Sequence, residues 1–209
     1  MSKDDKYIKY GKLLPGLIHN LNTPLMGCSG RVELLQMKMG EDKHLSQMTV
    51  QLDRINEILV AVAYLLDKDQ TDKDTGFDLK VFLGNYYAFL NTDMRFKHQM
   101  EKELTFEKYD INTNPSSLMN YLHAIMNHLL EYIEDISIVT IGNASENGNP
   151  CINIIMKYNA EIKEEYIEPL KNIKQIVEDK LDADTISNYE LQVEVTNEVA
   201  IKIVIPQTL

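Results

Sequence analysis

Long hydrophobic runs are missing from this chain of 209 residues: none approaches the 18 or so consecutive apolar residues that a helix needs to cross a bilayer. The first ten residues, MSKDDKYIKY, are too polar for a secretion signal, so no membrane association is expected and the compartment is expected to be cytoplasmic. Basic residues are scarce. Lys and Arg number 21 against 32 Asp and Glu, a net charge of −11 with no basic cluster, which excludes nucleic acid as a partner because phosphate backbones are bound by grouped Lys and Arg. The nearest thing to a charge run, DKDQTDKD at 67–74, mixes both signs and reads as a solvated linker. Cysteine is limited to Cys28 and Cys151, far apart and outside any ligand spacing. Neither a disulfide framework nor a zinc site fits that arrangement, and both thiols are expected to be free and buried.

What is present is an ordinary apolar fraction, 44%, distributed in two patterns. From about Tyr7 to Met39, Leu14, Leu17, Leu21, Leu25, Cys28, Val32, Leu35 and Met39 recur at steps of three or four, the signature of one long helix with a single seam. Gly27, Ser29 and Gly30 weaken helix propensity but allow a neighbouring helix to come close, and Gly40 supplies the stop. A second helix is expected from Asp42 to Leu66, where Leu45, Met48, Leu52, Ile55, Leu59, Val62 and Leu66 alternate steps of three and four over three heptads. Ile18, Ile58 and Leu65 broaden the two stripes beyond what a single hairpin covers. Two hairpins in a four-helix bundle would cover them, so a homodimer is expected.

Beyond the linker the composition changes. A short helix over 77–90 with Asp78 as a candidate cap, a strand over 102–108, a helix from Ser117 to Ile133 capped by Asn114 or Ser116, and strands over 136–142 and 151–158 flanking the loop NASENGNP are expected. A helix over 164–181 and two last strands, 190–196 and 199–205, complete the reading. The fold class is α+β: an N-terminal antiparallel helical hairpin over 1–70, followed over 71–209 by helices laid against a largely antiparallel sheet.

The chemically distinctive stretch is LLPGLIHNLNTPL at 13–25. At about 100° per residue, His19 points away from the seam defined by Leu17 and Leu21, with Thr23 one turn on along the same face and Asn20 and Asn22 beside it. An exposed imidazole next to a hydroxyl suits reversible nucleophilic work such as phosphoryl transfer. Pro24, which lacks an N–H, is expected to kink the helix just past the histidine. His44, His98, His123 and His128 lack any such context and read as ordinary histidines.

The segment HNLNTPL resembles the phosphoacceptor box of bacterial sensor histidine kinases: His, an acidic residue, an apolar residue, a variable one, Thr or Asn, Pro, Leu. His19, Leu21, Thr23, Pro24 and Leu25 match and Asn20 does not. The resemblance implies that His19 accepts the phosphoryl group, that Asn20 lacks the carboxylate the family uses as a base, and that Thr23 helps to place water for dephosphorylating a partner. It extends to the order of the whole chain, a dimerisation and phosphotransfer hairpin followed by an ATPase-like α/β sandwich. In that second part the nucleotide motifs have decayed. Asn127 in NHLLEYIED matches the first asparagine of the magnesium-binding helix, but Glu131 replaces the second and would repel a triphosphate. The glycine box aligns with YNAEI, where Tyr158 replaces the adenine-binding aspartate, and the lid aligns with PLKNIKQIVE, which holds no glycine.

The resemblance therefore implies a histidine phosphotransferase, similar to those of the bacillus sporulation and caulobacter cell-cycle relays, that passes phosphoryl groups between receiver-domain aspartates through His19 without ATP. It implies no cofactor or metal of its own, with Mg²⁺ supplied by the receiver. The other reading is a non-catalytic pseudokinase that scaffolds, sequesters or dephosphorylates a response regulator. Arg31, Glu33, Gln36 and Lys38 are candidate docking positions.

Overall fold

In the computed structural model, residues 14–206 are described, except 41, 71, 72, 99, 133, 135 and 182. The chain divides between Asp67 and Lys68 into two compact units. The first carries a hairpin of two long helices, α1 (Leu14–Met39) and α2 (Lys43–Asp69). The expected helical residues 7–13 lie outside the described part. Gly40, at φ +78° and with its N–H donated to the Gln36 carbonyl, ends α1 in a left-handed turn that a glycine adopts without strain. Asp42 then caps α2, its carboxylate accepting from the N–H groups of His44 and Leu45 at 2.8 and 3.0 Å.

Within this hairpin the single seam expected from sequence is divided in two. Ile18, Leu25 and Val32, seven residues apart, are buried. Ile18 and Leu25 form one cluster with Leu59, against which Leu52, Val62, Ala63 and Leu66 pack. Leu14, Leu17, Leu21 and Leu35 are exposed by 37 to 53%, although they belong to the same predicted stripe. A neighbour lying along one side of a helix covers a narrow arc, and a stripe wider than that arc leaves its flank uncovered. Cys28, three residues past Leu25, falls in the flank and is exposed, contrary to expectation, whereas Cys151 is buried. Among the described residues the glycines serve no helix contact: a Cβ at Gly27 or Gly30 would meet nothing within 4 Å. Gln36 is half-buried and donates to the Thr49 hydroxyl at 3.2 Å, so it ties the helices together rather than facing solvent as a docking position.

The second unit opens on β1 (Thr75–Asp78), which turns into α3 (Leu79–Leu90) at Asp78, whose carboxylate accepts from Lys80 N at 2.9 Å. There follow α4 (Met94–His98), β2 (Glu101–Thr105), β3 (Asp110–Thr113), α5 (Pro115–Leu129), β4 (Ile136–Glu146), β5 (Asn149–Tyr158), α6 (Glu164–Lys171), α7 (Ile173–Lys180), α8 (Ala183–Ser187), β6 (Glu190–Val195) and β7 (Glu198–Val204). Asn114 caps α5, accepting from Ser117 N at 3.0 Å. The main sheet has the order β2-β4-β5-β7-β6, with β2 parallel to β4 and the other pairs antiparallel, while β1 and β3 pair separately. Side chains of Val139, Ile141, Ile152, Ile154, Met156, Val199, Ile201 and Ile203 form one buried face of the sheet. Helix α5 contributes Leu118, Leu122, Ile125, Met126 and Leu129 to the same core. The result is a mixed α/β sandwich.

Several expected boundaries shift for identifiable reasons. The loop NASENGNP is mostly strand: β4 and β5 continue through it to a two-residue turn at Asn147 and Gly148, φ 52° and 83°, the positive angles a tight hairpin requires. The helix expected over 164–181 is two, separated at Asn172. Helices α4 and α8 and strands β1 and β3 were not expected, because four or five residues are too few to show periodicity.

The Tyr86 hydroxyl of α3 is buried without a hydrogen-bond partner among the described residues. Leaving a polar group dry and unpaired opposes folding. Tyr86→Phe should therefore leave stability unchanged or raise it by about 1 kcal/mol, and Tyr86→Ala should lower it by about 3 kcal/mol or more through the cavity it opens, as read from urea denaturation midpoints.

Candidate functional site

Helix α1 carries the histidine. His19, Asn20 and Thr23 are exposed, and Asn22 is half-buried. The seam fixes this arrangement. In each heptad the residue one step after a seam position turns to one side of the hairpin, and the residue three steps after turns to the other. Because the helices are antiparallel, equal steps on both lead to the same side. His19 follows Ile18, Met26 follows Leu25 and Val60 follows Leu59, so these three share one side, where Met26 and Val60 are 73% and 54% exposed. Leu21 and Leu35, three steps after Ile18 and Val32, share the opposite side with Met48 and Ile55, three steps after Leu45 and Leu52. The hairpin thus has an imidazole face and a separate exposed apolar face.

Helix α1 runs from Leu14 to Met39 with Pro24 inside it. The proline withdraws the N–H that would have reached the Asn20 carbonyl one turn earlier, leaving that oxygen without its helical donor beside His19. Between Leu14 and Val32 the sequence contains no Asp or Glu. Past that stretch, the exposed carboxylates of Glu33 on α1 and of Asp53 and Asp67 on α2, each one step after a seam residue, stand on the same side as His19.

The residues predicted to line a decayed nucleotide site gather at one end of the second unit. Asn127 is half-buried in the last turn of α5. Glu131 lies past the helix end, exposed, with His128 Nδ1 3.9 Å from its carboxylate. Tyr158, the last residue of β5, donates its hydroxyl to the Tyr132 carbonyl at 3.1 Å, which joins the end of β5 to the segment after α5. Burial of the ring, with the Tyr166 phenol nearby, pushes the Tyr158 hydroxyl up to about 12. The segment expected to align with the lid is packed helix: Leu170, Ile173 and Val177 are buried. His128 Nε2 lies 3.1 Å from the Pro169 carbonyl. The Tyr132 and Tyr166 rings meet edge-on at 5.2 Å, and the Glu134 carboxylate accepts from both Lys163 and the Tyr166 hydroxyl. The hydrogen bond from Lys163, then that from Tyr166, holds the Glu134 carboxyl below its usual range.

These ties between residues 26 to 41 positions apart were not legible in the sequence, since nothing in single-chain periodicity pairs Tyr132 with Tyr166 or Glu134 with Lys163. What remains open nearby is a cavity of about 480 Å³ lined by Tyr158, Asn159, Ala160, Glu161, Ile162, Ile167, Thr196 and Asn197. Glu161 is the charged residue of that lining, the wrong sign for a triphosphate. Among the described residues no group of three or more His, Cys, Asp or Glu is placed to hold a metal ion, and no helix is long and apolar enough to cross a membrane.

The architecture has solved counterparts. The histidine kinase domain of a blue-light activated histidine kinase, Erythrobacter litoralis EL346, superposes at TM-score 0.51 with 14% identity, covering 88% of this chain and 96% of that one. The fold is histidine-kinase-like. The histidine kinase AdeS of Acinetobacter baumannii gives TM-score 0.47 at 14% identity, covering 91% of this chain and 98% of that one. A bacterial phosphotransferase gives 0.41 at 11%, covering 97% of each chain. No family model and no curated protein matches the sequence.

Because its phenol is neutral when buried, Tyr158 contributes stability that is complete below the ordinary tyrosine pKa near 10 and is lost as pH rises through about 12. Tyr158→Phe should lower stability at neutral pH by about 1 kcal/mol, the worth of one neutral hydrogen bond, and absorbance titration should show one fewer phenol ionising near the alkaline limit.

Proposed function

We propose that this chain is a histidine phosphotransferase of a two-component phosphorelay, which moves a phosphoryl group between receiver-domain aspartates through His19 and does so without ATP. The observation that carries this reading is the contrast between its two halves. An exposed histidine stands beside Asn20 and Thr23 on α1 of the first unit, while the end of the second unit expected to hold a nucleotide is occupied by the protein's own tyrosines and packed helix.

The chemistry asks little of the chain. An unprotonated nitrogen of His19 forms a bond to the phosphorus of a receiver aspartyl phosphate. The bond from phosphorus to the carboxylate oxygen breaks, and its electron pair leaves with the aspartate. Transfer to the second receiver reverses the step. The receiver's acidic pocket brings Mg²⁺, so the hairpin contributes position and a docking face. Asn20, unable to act as a base, also brings no negative charge against that pocket. Thr23, exposed four residues on, would bear on water near the same phosphorus.

Incubation with a phosphorylated receiver domain should place acid-labile label on the wild type and none on His19→Gln. Loss of label from the receiver, accelerated equally by both proteins with neither becoming labelled, would contradict relay and favour the scaffold or phosphatase reading.

The reading includes a homodimer. The exposed apolar face of Leu21, Leu35, Met48 and Ile55 continues the seven-residue spacing of the buried seam on both helices, which is the pattern that a second hairpin covers in a four-helix bundle. Light scattering should give twice the chain mass, and Leu21→Glu with Ile55→Glu should halve it while circular dichroism keeps the helical signal. A wild-type monomer at micromolar concentration would rule the dimer out.

A further inference from the structure

One face of the main sheet is buried against the helices of the second unit, and the opposite face holds a hollow of about 640 Å³, the size of a small-molecule site. Strand register sets the hollow's residues in rows that cross the sheet. Thr105, Gly142, Asn153, Lys202 and Gln192 are paired in turn across β2, β4, β5, β7 and β6, so their side-chain positions share one face. Thr140, Ile155, Ala200 and Glu194 make the neighbouring row on that face. The middle of the hollow is kept low by small residues. A Cβ at Gly142 would collide with the Thr105 side chain, so the glycine lets Thr105 lean inward over the sheet. Two polar groups are anchored from outside: Lys202 Nζ donates to Glu146 at 2.8 Å, and the Thr140 hydroxyl donates to Glu103 at 3.2 Å. The Asn153 carboxamide, half-buried at the centre, has no hydrogen-bond partner among the described residues. A solvent-facing strand needs polar residues, but it does not need a half-buried amide left unpaired beside a hollow.

We infer that this hollow is a binding site for a small, uncharged, hydroxyl-rich molecule of the sugar class. The lining sets that chemistry. A sugar hydroxyl both donates and accepts, and it meets groups that do the same: the hydroxyls of Thr105 and Thr140 and the carboxamides of Asn153 and Gln192. An anionic ligand is disfavoured, because Lys202 is already paired with Glu146 and the exposed Glu194 carboxylate would oppose a second negative charge. Among the described residues no aromatic ring lines the hollow, so a flat heterocycle has nothing to stack on. Ile155 and Ala200 lie beside the polar row, which suits a ring that carries C–H groups on one face and hydroxyls around its rim. The site lies within the second unit and uses neither His19 nor the Tyr158 end, so it does not depend on the phosphotransferase reading.

The test titrates the isotope-labelled full chain with glucose, trehalose and myo-inositol, and follows backbone amide shifts together with the side-chain amide signals of Asn153 and Gln192. At least one of the three should bind saturably in the millimolar range, with the largest shifts at Gly142, Asn153 and Lys202 and with the Asn153 carboxamide among the signals that move. Asn153→Ala, and Thr105→Val, which keeps the shape of the side chain, should each weaken that binding by about tenfold, the loss of one ligand hydrogen bond, while signals away from the hollow keep their wild-type positions. A phosphate ester of the same molecule should bind more weakly than the parent. The inference would be overturned by the absence of saturation with all three molecules, by shifts centred elsewhere, by wild-type affinity in either variant, or by a phosphate ester that binds as well as its parent or better.

Discussion

The packing of Ile18, Leu25 and Val32 of α1 in register with Leu45, Leu52, Leu59 and Leu66 of α2 is the constraint on which the hairpin's chemistry depends. Seven-residue spacing on both helices fixes their rotation about their own axes, and rotation decides where every other side chain points. One step past the seam lies His19; three steps past it lies Leu21. A one-residue slip of the seam would exchange the imidazole face for a buried position and leave His19 out of solvent. The exposure of the imidazole is thus a consequence of apolar spacing, with no hydrogen bond needed to aim the ring outward.

The second unit shows the complementary case, in which polar and aromatic ties draw the ends of its elements together. Here Tyr158 reaches across to the Tyr132 carbonyl, His128 meets the Pro169 carbonyl, and Tyr166 and Lys163 both engage Glu134. Each tie is modest, since a neutral hydrogen bond is worth about 1 kcal/mol and an edge-on aromatic pair about as much. Their effect is geometric: together they hold α6 against the segment that follows α5.

Much of this was readable from residues in order. Gly40, Asp42, Asp78 and Asn114 mark element ends by local chemistry, and each performs the capping or turning role that its type and position imply. His19 is legible because its exposure follows from a helical period. The division of the first stripe into a covered and an uncovered part was not legible, since a period gives the direction of each residue but not the width of the arc that a neighbour covers. Ile18 was accordingly read as a broadening residue when it belongs to the seam, and Cys28 as buried when it lies on the flank. The tyrosine contacts depend on how β5 and α5 converge in space, which no window of sequence contains. The Asn147-Gly148 turn carried its own signal, a dipeptide that favours two-residue hairpins, but the polar residues around it resembled a loop more than strand ends.

The central claim is that the phosphoryl group on His19 comes from another protein and not from a nucleotide. Intact-mass measurement of the same preparation after exposure to Mg-ATP alone, and separately to a phosphorylated receiver domain, addresses it most directly. The account predicts unmodified chain in the first case and a singly phosphorylated chain, with the group located on His19, in the second. Phosphorylation by Mg-ATP alone would contradict it.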